Sequence, residues 1–219
     1  MNNGKMAREK AFLEARQNYD RLSRWYDWFS SSERRFTEIG QALLKIQPGE
    51  NVLEIGFGTG HALVDLAGLV GESGSVCGID LSPGMFSVAN RRVQHSGLNG
   101  RISIQVGEAT HIPYPDRQFQ AVFMSFTLEL FHTEMIPVVL AECQRILQPG
   151  GRLGIVSLKK KDTRSVKIYE WFHLRFPKII DCRPILVCQV LEKSGFMVTQ
   201  DVEKSLWGLP VEIVIAERS

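Results

Sequence analysis

From Asn51 onward, short apolar runs alternate with longer stretches whose apolar positions recur every three or four residues. NVLEI, SVCGI, ISIQV, AVFMSF and RLGIV read as strands, apolar enough on both sides to lie between layers. HALVDLAGLV, PGMFSVANRRVQHSG and EMIPVVLAECQRIL carry helical spacing between them. Strands alternating with helices predict a parallel sheet covered by helices on both faces. The end of the chain departs from this rhythm. FMVTQDV and VEIVIAER are separated only by SLWGLP and a few charged residues, too little chain for a crossover helix, so the two should pair antiparallel. The first 45 residues are polar and basic, with aromatics gathered in YDRLSRWYDWF, and read as one or two helices before the turn signal QPGEN.

Composition narrows the class without naming a function. The 219 residues suffice for one complete domain with a sizeable core. With 44% hydrophobic and 23% charged residues the chain is ordinary for a soluble globular protein. Lys and Arg number 26 against 24 Asp and Glu, which does not suggest a nucleic-acid binder. No apolar run reaches the 18 or so residues of a membrane span, and the opening MNNGKMAREKAFLEAR lacks the apolar core of a secretory signal. Cys77, Cys143, Cys182 and Cys188 follow no zinc or redox spacing, so no metal is expected and the thiols read as reduced packing residues of a cytoplasmic protein.

The chemistry gathers around VLEIGFGTG, Val52 to Gly60. In open parallel sheets ligands lie beyond the carboxyl ends of the strands, where strand order reverses, so Gly56, Gly58 and Gly60 should line that crevice. A dinucleotide fingerprint would be G-x-G-x-x-G, whereas this loop is G-x-G-x-G with His61 where the last glycine would fall. A triphosphate loop would need a lysine that is absent. Asp80, closing the second strand, stands where a carboxylate accepts hydrogen bonds from a free ribose. Glu54, two residues before the first glycine, would repel a pyrophosphate but suits an ammonium or sulfonium. Together these features ask for an adenosine-like nucleoside with a positive centre and no phosphate; S-adenosylmethionine meets each requirement. Either carboxylate alone would read equally well as a surface residue or a helix cap.

Four segments in order, VLEIGFGTG, VCGIDLSPGM, GEATHIPYPDRQFQAVFMSFTLE and RILQPGGRLGIV, resemble the class I S-adenosylmethionine-dependent methyltransferases (the type 11 methyltransferase domain). Within that class the chain is most similar to the branch of ubiquinone and menaquinone biosynthesis C-methyltransferases, whose opening helix YDRLSRWYDWF also resembles. The resemblance implies a Rossmann-like, doubly wound, seven-stranded sheet, mostly parallel with an antiparallel C-terminal hairpin. It implies a helical cap over residues 1–46 and a cofactor-binding methyltransferase domain over residues 47–219. It also implies roles. Gly56, Gly58 and Gly60 would pass under the methionine moiety, the helix from His61 would face its carboxylate, and Glu54 would hold the loop. Asp80 would bind the ribose, Leu81 and Met85 would flank adenine, and Glu108 and Ala109 would contact it. Ser125 and Phe126, ending the fourth strand, would sit beside the sulfonium, Tyr26 would serve as a lid, and PGGR would form a structural turn. Quinone-modifying members carry an Arg–Asn pair after this Ser-Phe, where the present chain has Glu129 and Leu130.

Methyl transfer needs alignment more than acid–base chemistry, and a base only if the acceptor must lose a proton early. Tyr26, Glu129 and His132 are the leading candidates at the expected pocket mouth, with Asp27, Tyr169 and His173 beside them. His132 could equally be a solvated residue at a helix start. Lys159 to Ile185 interleaves eight basic residues with Tyr169, Trp171, Phe172 and Phe176, against three acidic ones. It reads as an amphipathic helix, either packed on the sheet edge or rimming an apolar pocket that could also touch a membrane surface. The expected acceptor is a small apolar, lipid-like or quinone-like molecule, with no nucleic-acid partner. The rival readings are an NAD-dependent oxidoreductase of similar fold, a non-catalytic S-adenosylmethionine binder and an RNA methyltransferase. The last would carry an Asn/Asp-Pro-Pro-Tyr signature where this chain has SFTLE.

Overall fold

The computed structural model describes residues 26–161, 166 and 183–218, with side chains from residue 32 onward. Helix α1 spans Tyr26–Leu44 and leads into strand β1, Asn51–Ile55. There follow α2 (His61–Leu69), β2 (Ser75–Asp80), α3 (Pro83–Ser96), β3 (Ile102–Val106) and β4 (Phe119–Ser125). A 3-10 turn over Leu128–Leu130 precedes α4 (Ile136–Ile146), β5 (Leu147–Leu158), α5 (Val187–Lys193), β6 (Phe196–Leu206) and β7 (Leu209–Arg218). The seven strands form one sheet in the order β3-β2-β1-β4-β5-β7-β6. Pairings among β1 to β5 are parallel, while β7 runs antiparallel to both β5 and β6.

Alternation along the strands divides the core in two. One face gathers Phe36 and Leu44 of α1, Leu63 and Leu66 of α2 and Ala89 and Val93 of α3 over Val52, Phe123 and Val156. The other packs Val139, Leu140 and Cys143 of α4 and Val187 and Leu191 of α5 over Leu53, Val122 and Ile155. Helix α1 lies close to the sheet because Gly40 has no side chain: a Cβ there would stand 2.7 Å from Val156 Cγ2. Its C-terminus is held by Arg152, whose Nη1 donates to the carbonyls of Leu44 (3.1 Å) and Lys45 (2.7 Å), while Nη2 pairs with Glu50. A guanidinium at a helix C-terminus satisfies carbonyls that have no partner within the helix.

Two local readings are corrected. SLWGLP is not a loop between separate strands, because β6 and β7 run to Leu206 and Leu209 and turn on Trp207 and Gly208 alone. Both turn residues have positive φ, 51° and 82°, the conformation that matches the right-handed twist of the flanking strands. PGGR does not precede the fifth strand but lies within β5, where Phe119 already pairs with Leu147. Among the described residues, no helix is long and apolar enough to cross a membrane.

Candidate functional site

Strand order reverses between β1 and β4, since β2 and β3 continue from one side of β1 while β4 and β5 lie on the other. The helices that follow β1 and β4 therefore pack on opposite faces of the sheet, and the carboxyl ends of these two strands are where a ligand crevice is expected. Gly56 leaves β1 with φ 74°, its N–H donating to the Ile79 carbonyl at 2.8 Å. A Cβ on Gly56 would fall 2.4 Å from the Thr127 side chain, so the loop and the segment after β4 meet over a glycine. Thr127 is buried and its hydroxyl donates to the Ser125 carbonyl at 3.0 Å.

Gly58 is half-buried, and its N–H donates to Asp80 Oδ2 at 2.9 Å. Asp80 Oδ1 accepts the Ser82 N–H, also at 2.9 Å. The Asp80 carboxylate thus fixes the glycine loop and the start of α3 together, a role that sequence reasoning had not given it. Gly60 departs from the expectation that it lines the crevice. It is buried, with φ 82°, and a Cβ would stand 2.9 Å from Ala89 Cβ of α3. It serves close packing of α2 on α3, and as the cap residue of α2 it leaves that first turn without a side-chain cap. Arg92 of α3 donates to the Thr59 carbonyl and pins the loop from the other side.

Below the loop, Glu54 is 3% exposed, and its Oε2 has no hydrogen-bond partner among the described residues. Burial, then the charges of Asp80 and Asp65, push this carboxyl well above the usual carboxylate range. A buried carboxylate without a partner is costly. It becomes favourable when a cation or a charged donor arrives beside it, so the donor set fits a cofactor with a positive end and fits a pyrophosphate poorly.

The remaining predicted residues fall into groups. Leu81 is half-buried and Met85 is buried, the Met85 N–H bonded to the Ser82 hydroxyl that caps α3. Ala109 is buried, while Glu108 is exposed and accepts from Thr110 Oγ1 at 3.3 Å. Ser125 ends β4, and its hydroxyl lies 2.7 Å from Thr37 Oγ1 of α1. Phe126 is the first residue beyond the strand rather than its last, buried with φ 50°. Its left-handed backbone is held by an N–H bond to the Val156 carbonyl (2.8 Å) and by edge-on contact with Phe36, the ring centroids 6.5 Å apart. Such a conformation costs a non-glycine residue on the order of 1 kcal/mol or more and persists only where surroundings enforce it.

Among the catalytic candidates, Glu129 is 1% exposed in the 3-10 turn that follows. His132 is exposed in the segment before α4, in accord with its reading as a solvated residue. Tyr26 begins α1 as described, but its side chain and that of Asp27, together with Tyr169, His173 and most of the helix read over Lys159 to Ile185, lie outside the described residues; the two ends of that segment are extended, Lys159 and Ile185 pairing as a parallel bridge. Sequence reasoning missed Glu33, Thr37 and Gln41, which share the sheet-facing side of α1 at i, i+4 spacing; Gln41 donates to the Ala62 carbonyl at 3.2 Å. Elsewhere, Cys188, Asp201 and Glu212 bring ligand atoms within 4.8 Å of one another. Lys159 Nζ stands 3.3 Å from Glu212 and 3.6 Å from Asp201 and supplies the cation there.

The model of the methyltransferase domain family matches residues 52–151, from β1 into β5. Demethylmenaquinone methyltransferase of Symbiobacterium thermophilum is 29% identical over 191 residues, covering 79% of this chain and 72% of that protein. Aklanonic acid methyltransferase of a Streptomyces species is 34% identical over 148 residues, 68% of this chain and 63% of that protein. Other curated relatives are matched over as little as 54% of their length. A crystal structure of an S-adenosylmethionine-dependent methyltransferase from Aquifex aeolicus superimposes with a TM-score of 0.66 at 25% identity, covering 84% of this chain and 89% of that one.

Proposed function

Because the chain belongs to the class I S-adenosylmethionine-dependent methyltransferases, in the branch of the ubiquinone and menaquinone biosynthesis enzymes, we propose that it methylates a small, apolar, quinone-like or lipid-like acceptor at the β1/β4 crevice. S-adenosylmethionine is its cofactor and supplies, when bound, a methyl group already activated by sulfonium. The observation that carries the site assignment is Glu54: a buried carboxylate oxygen without a partner, beneath a glycine loop that Asp80 holds open. In this reading Glu54 faces the positive end of the cofactor, Asp80 receives the ribose hydroxyls, and Gly56 and Gly58 let the backbone approach. Leu81, Met85, Glu108 and Ala109 form the adenine wall, and Ser125 and Phe126 stand by the transferring methyl. The protein aligns the nucleophile at about 3–3.5 Å from that methyl and excludes water.

We read α1 and the sheet as one domain, supported by the Thr37–Ser125 hydroxyl pair and the close approach at Gly40. Free thiols at Cys77, Cys143 and Cys188 favour a cytoplasmic setting. The acceptor class is tested by incubating the protein with methyl-labelled S-adenosylmethionine and a whole-cell extract. Label is expected in small molecules that partition into organic solvent; label confined to RNA or protein would contradict the proposal.

A further inference from the structure

Glu129 is almost fully buried beyond the end of β4, and its two carboxylate oxygens differ in their surroundings. Oε1 accepts the Leu158 N–H at 3.2 Å. Oε2 is buried and has no hydrogen-bond partner among the described residues. Glu129 follows Thr127, which touches Gly56, by two residues, and its bond from Leu158 holds the carboxyl at the carboxyl end of β5. The second carboxylate comes from α1. Glu33 stands one turn before Thr37, whose hydroxyl donates to the Glu33 carbonyl (3.4 Å) and meets Ser125 at the end of β4. The helix is thereby fixed with Glu33 over the same strand ends.

We propose that Glu129 and Glu33 form a two-carboxylate acceptor site, in which Glu129 takes the proton from a hydroxyl of the methyl acceptor and Glu33 is a positioning residue that sets when Glu129 can do so. This rests on the methyl-transfer reading above and specifies its substrate class: an acceptor presenting an ionisable O–H, and not a carboxylate or phosphate at that end. The step balances. The acceptor O–H bond breaks and its proton goes to Glu129 Oε2; the acceptor's electron pair forms the bond to the methyl carbon; the methyl–sulfur bond breaks, and sulfur keeps that pair as a neutral thioether.

The electrostatics agree with this division. Burial pushes Glu129 up to about 8; its own backbone N–H and that of Leu158 oppose the rise, and the charge of Glu33 adds to it. Burial likewise pushes Glu33 up to about 7. Two close carboxylates in a poorly solvated place resist ionising together. No described cation answers them. Lys159, next along from Leu158, is engaged by Asp201, Glu203 and Glu212, and Arg183 by the Phe131 carbonyl.

The test uses the full chain with S-adenosylmethionine and a panel of substituted phenols and naphthols, each paired with its methyl ether. Wild type is expected to methylate members of the hydroxyl series and none of the ethers. Glu129→Gln should lower kcat by 100-fold or more while the cofactor Kd stays within twofold. Glu33→Gln should retain turnover but move the midpoint of the rising pH–rate profile to lower pH, because a negative charge no longer opposes ionisation of Glu129. A merely structural role would not move that midpoint. Full activity in Glu129→Gln, an unmoved midpoint in Glu33→Gln, or no turnover of any hydroxyl compound by a protein that binds cofactor would each overturn the proposal. Failure of the wild type to bind S-adenosylmethionine would instead overturn the reading beneath it.

Discussion

The backbone N–H of Gly58 donates to Oδ2 of Asp80 at 2.9 Å, tying the loop after β1 to the end of β2. Because Asp80 Oδ1 also holds Ser82, one side chain sets the loop and the start of α3. The carboxylate that reads from sequence as a ribose ligand is therefore also part of the frame that shapes the cradle.

Gly60 makes the case for packing. Alanine there would place Cβ 2.9 Å from Ala89 Cβ at a backbone φ of 82°. Gly60→Ala should destabilise the fold by about 1–3 kcal/mol, read by urea denaturation. Adding Ala89→Gly should recover the steric share and leave the backbone share. A neutral Gly60→Ala would show that α2 and α3 are not seated as described.

Glu54 predicts a proton linkage. Its carboxyl is raised in the folded state, so the native protein binds a proton that the unfolded chain releases. That contribution to stability is present at low pH and is lost as pH rises from the ordinary carboxylate range through the raised value. Glu54→Gln should therefore be more stable than wild type at pH 8 and show a flatter dependence of stability on pH. Cofactor binding to wild type should release a proton and tighten from pH 6 to pH 8; in Glu54→Gln it should be weaker and free of both effects. Calorimetry in two buffers of different ionisation enthalpy reads the released proton, and equal release in both proteins would refute the placement of the cation.

The hairpin offers an independent check. Trp207 is 77% exposed and holds φ 51°, a conformation that asparagine tolerates far better than tryptophan. Trp207→Asn should raise stability by about 0.5–1 kcal/mol, seen as a higher thermal midpoint with unchanged cofactor affinity. A lower midpoint would mean that the ring makes a contact which its exposure does not reveal.

What could be read from sequence was whatever is local. Alternating apolar runs gave the strands, the short C-terminal link gave the antiparallel pair, and VLEIGFGTG declared its loop because glycine spacing and Glu54 lie within a few residues. Contacts between distant segments were hidden. Thr37 and Ser125 are 88 positions apart, and nothing in α1 marks Glu33 as facing the end of β4. Arg152 read as part of a turn, yet its guanidinium closes α1 more than 100 residues earlier. Gly60 looked like its two neighbours because spacing alone does not show which glycine meets a ligand and which meets Ala89. The β6–β7 turn was missed because tryptophan is not a residue that signals a left-handed position.

The cradle itself is tested most directly by calorimetric titration of S-adenosylmethionine into wild type, Gly56→Val and Asp80→Ala, each first shown to be folded by its thermal transition. Valine at Gly56 would drive Cβ to 2.4 Å from the Thr127 side chain, and alanine at Asp80 would release Gly58 and Ser82. Affinity should fall at least tenfold in both variants. Wild-type affinity in both would contradict the placement of the cofactor at the β1/β4 crevice.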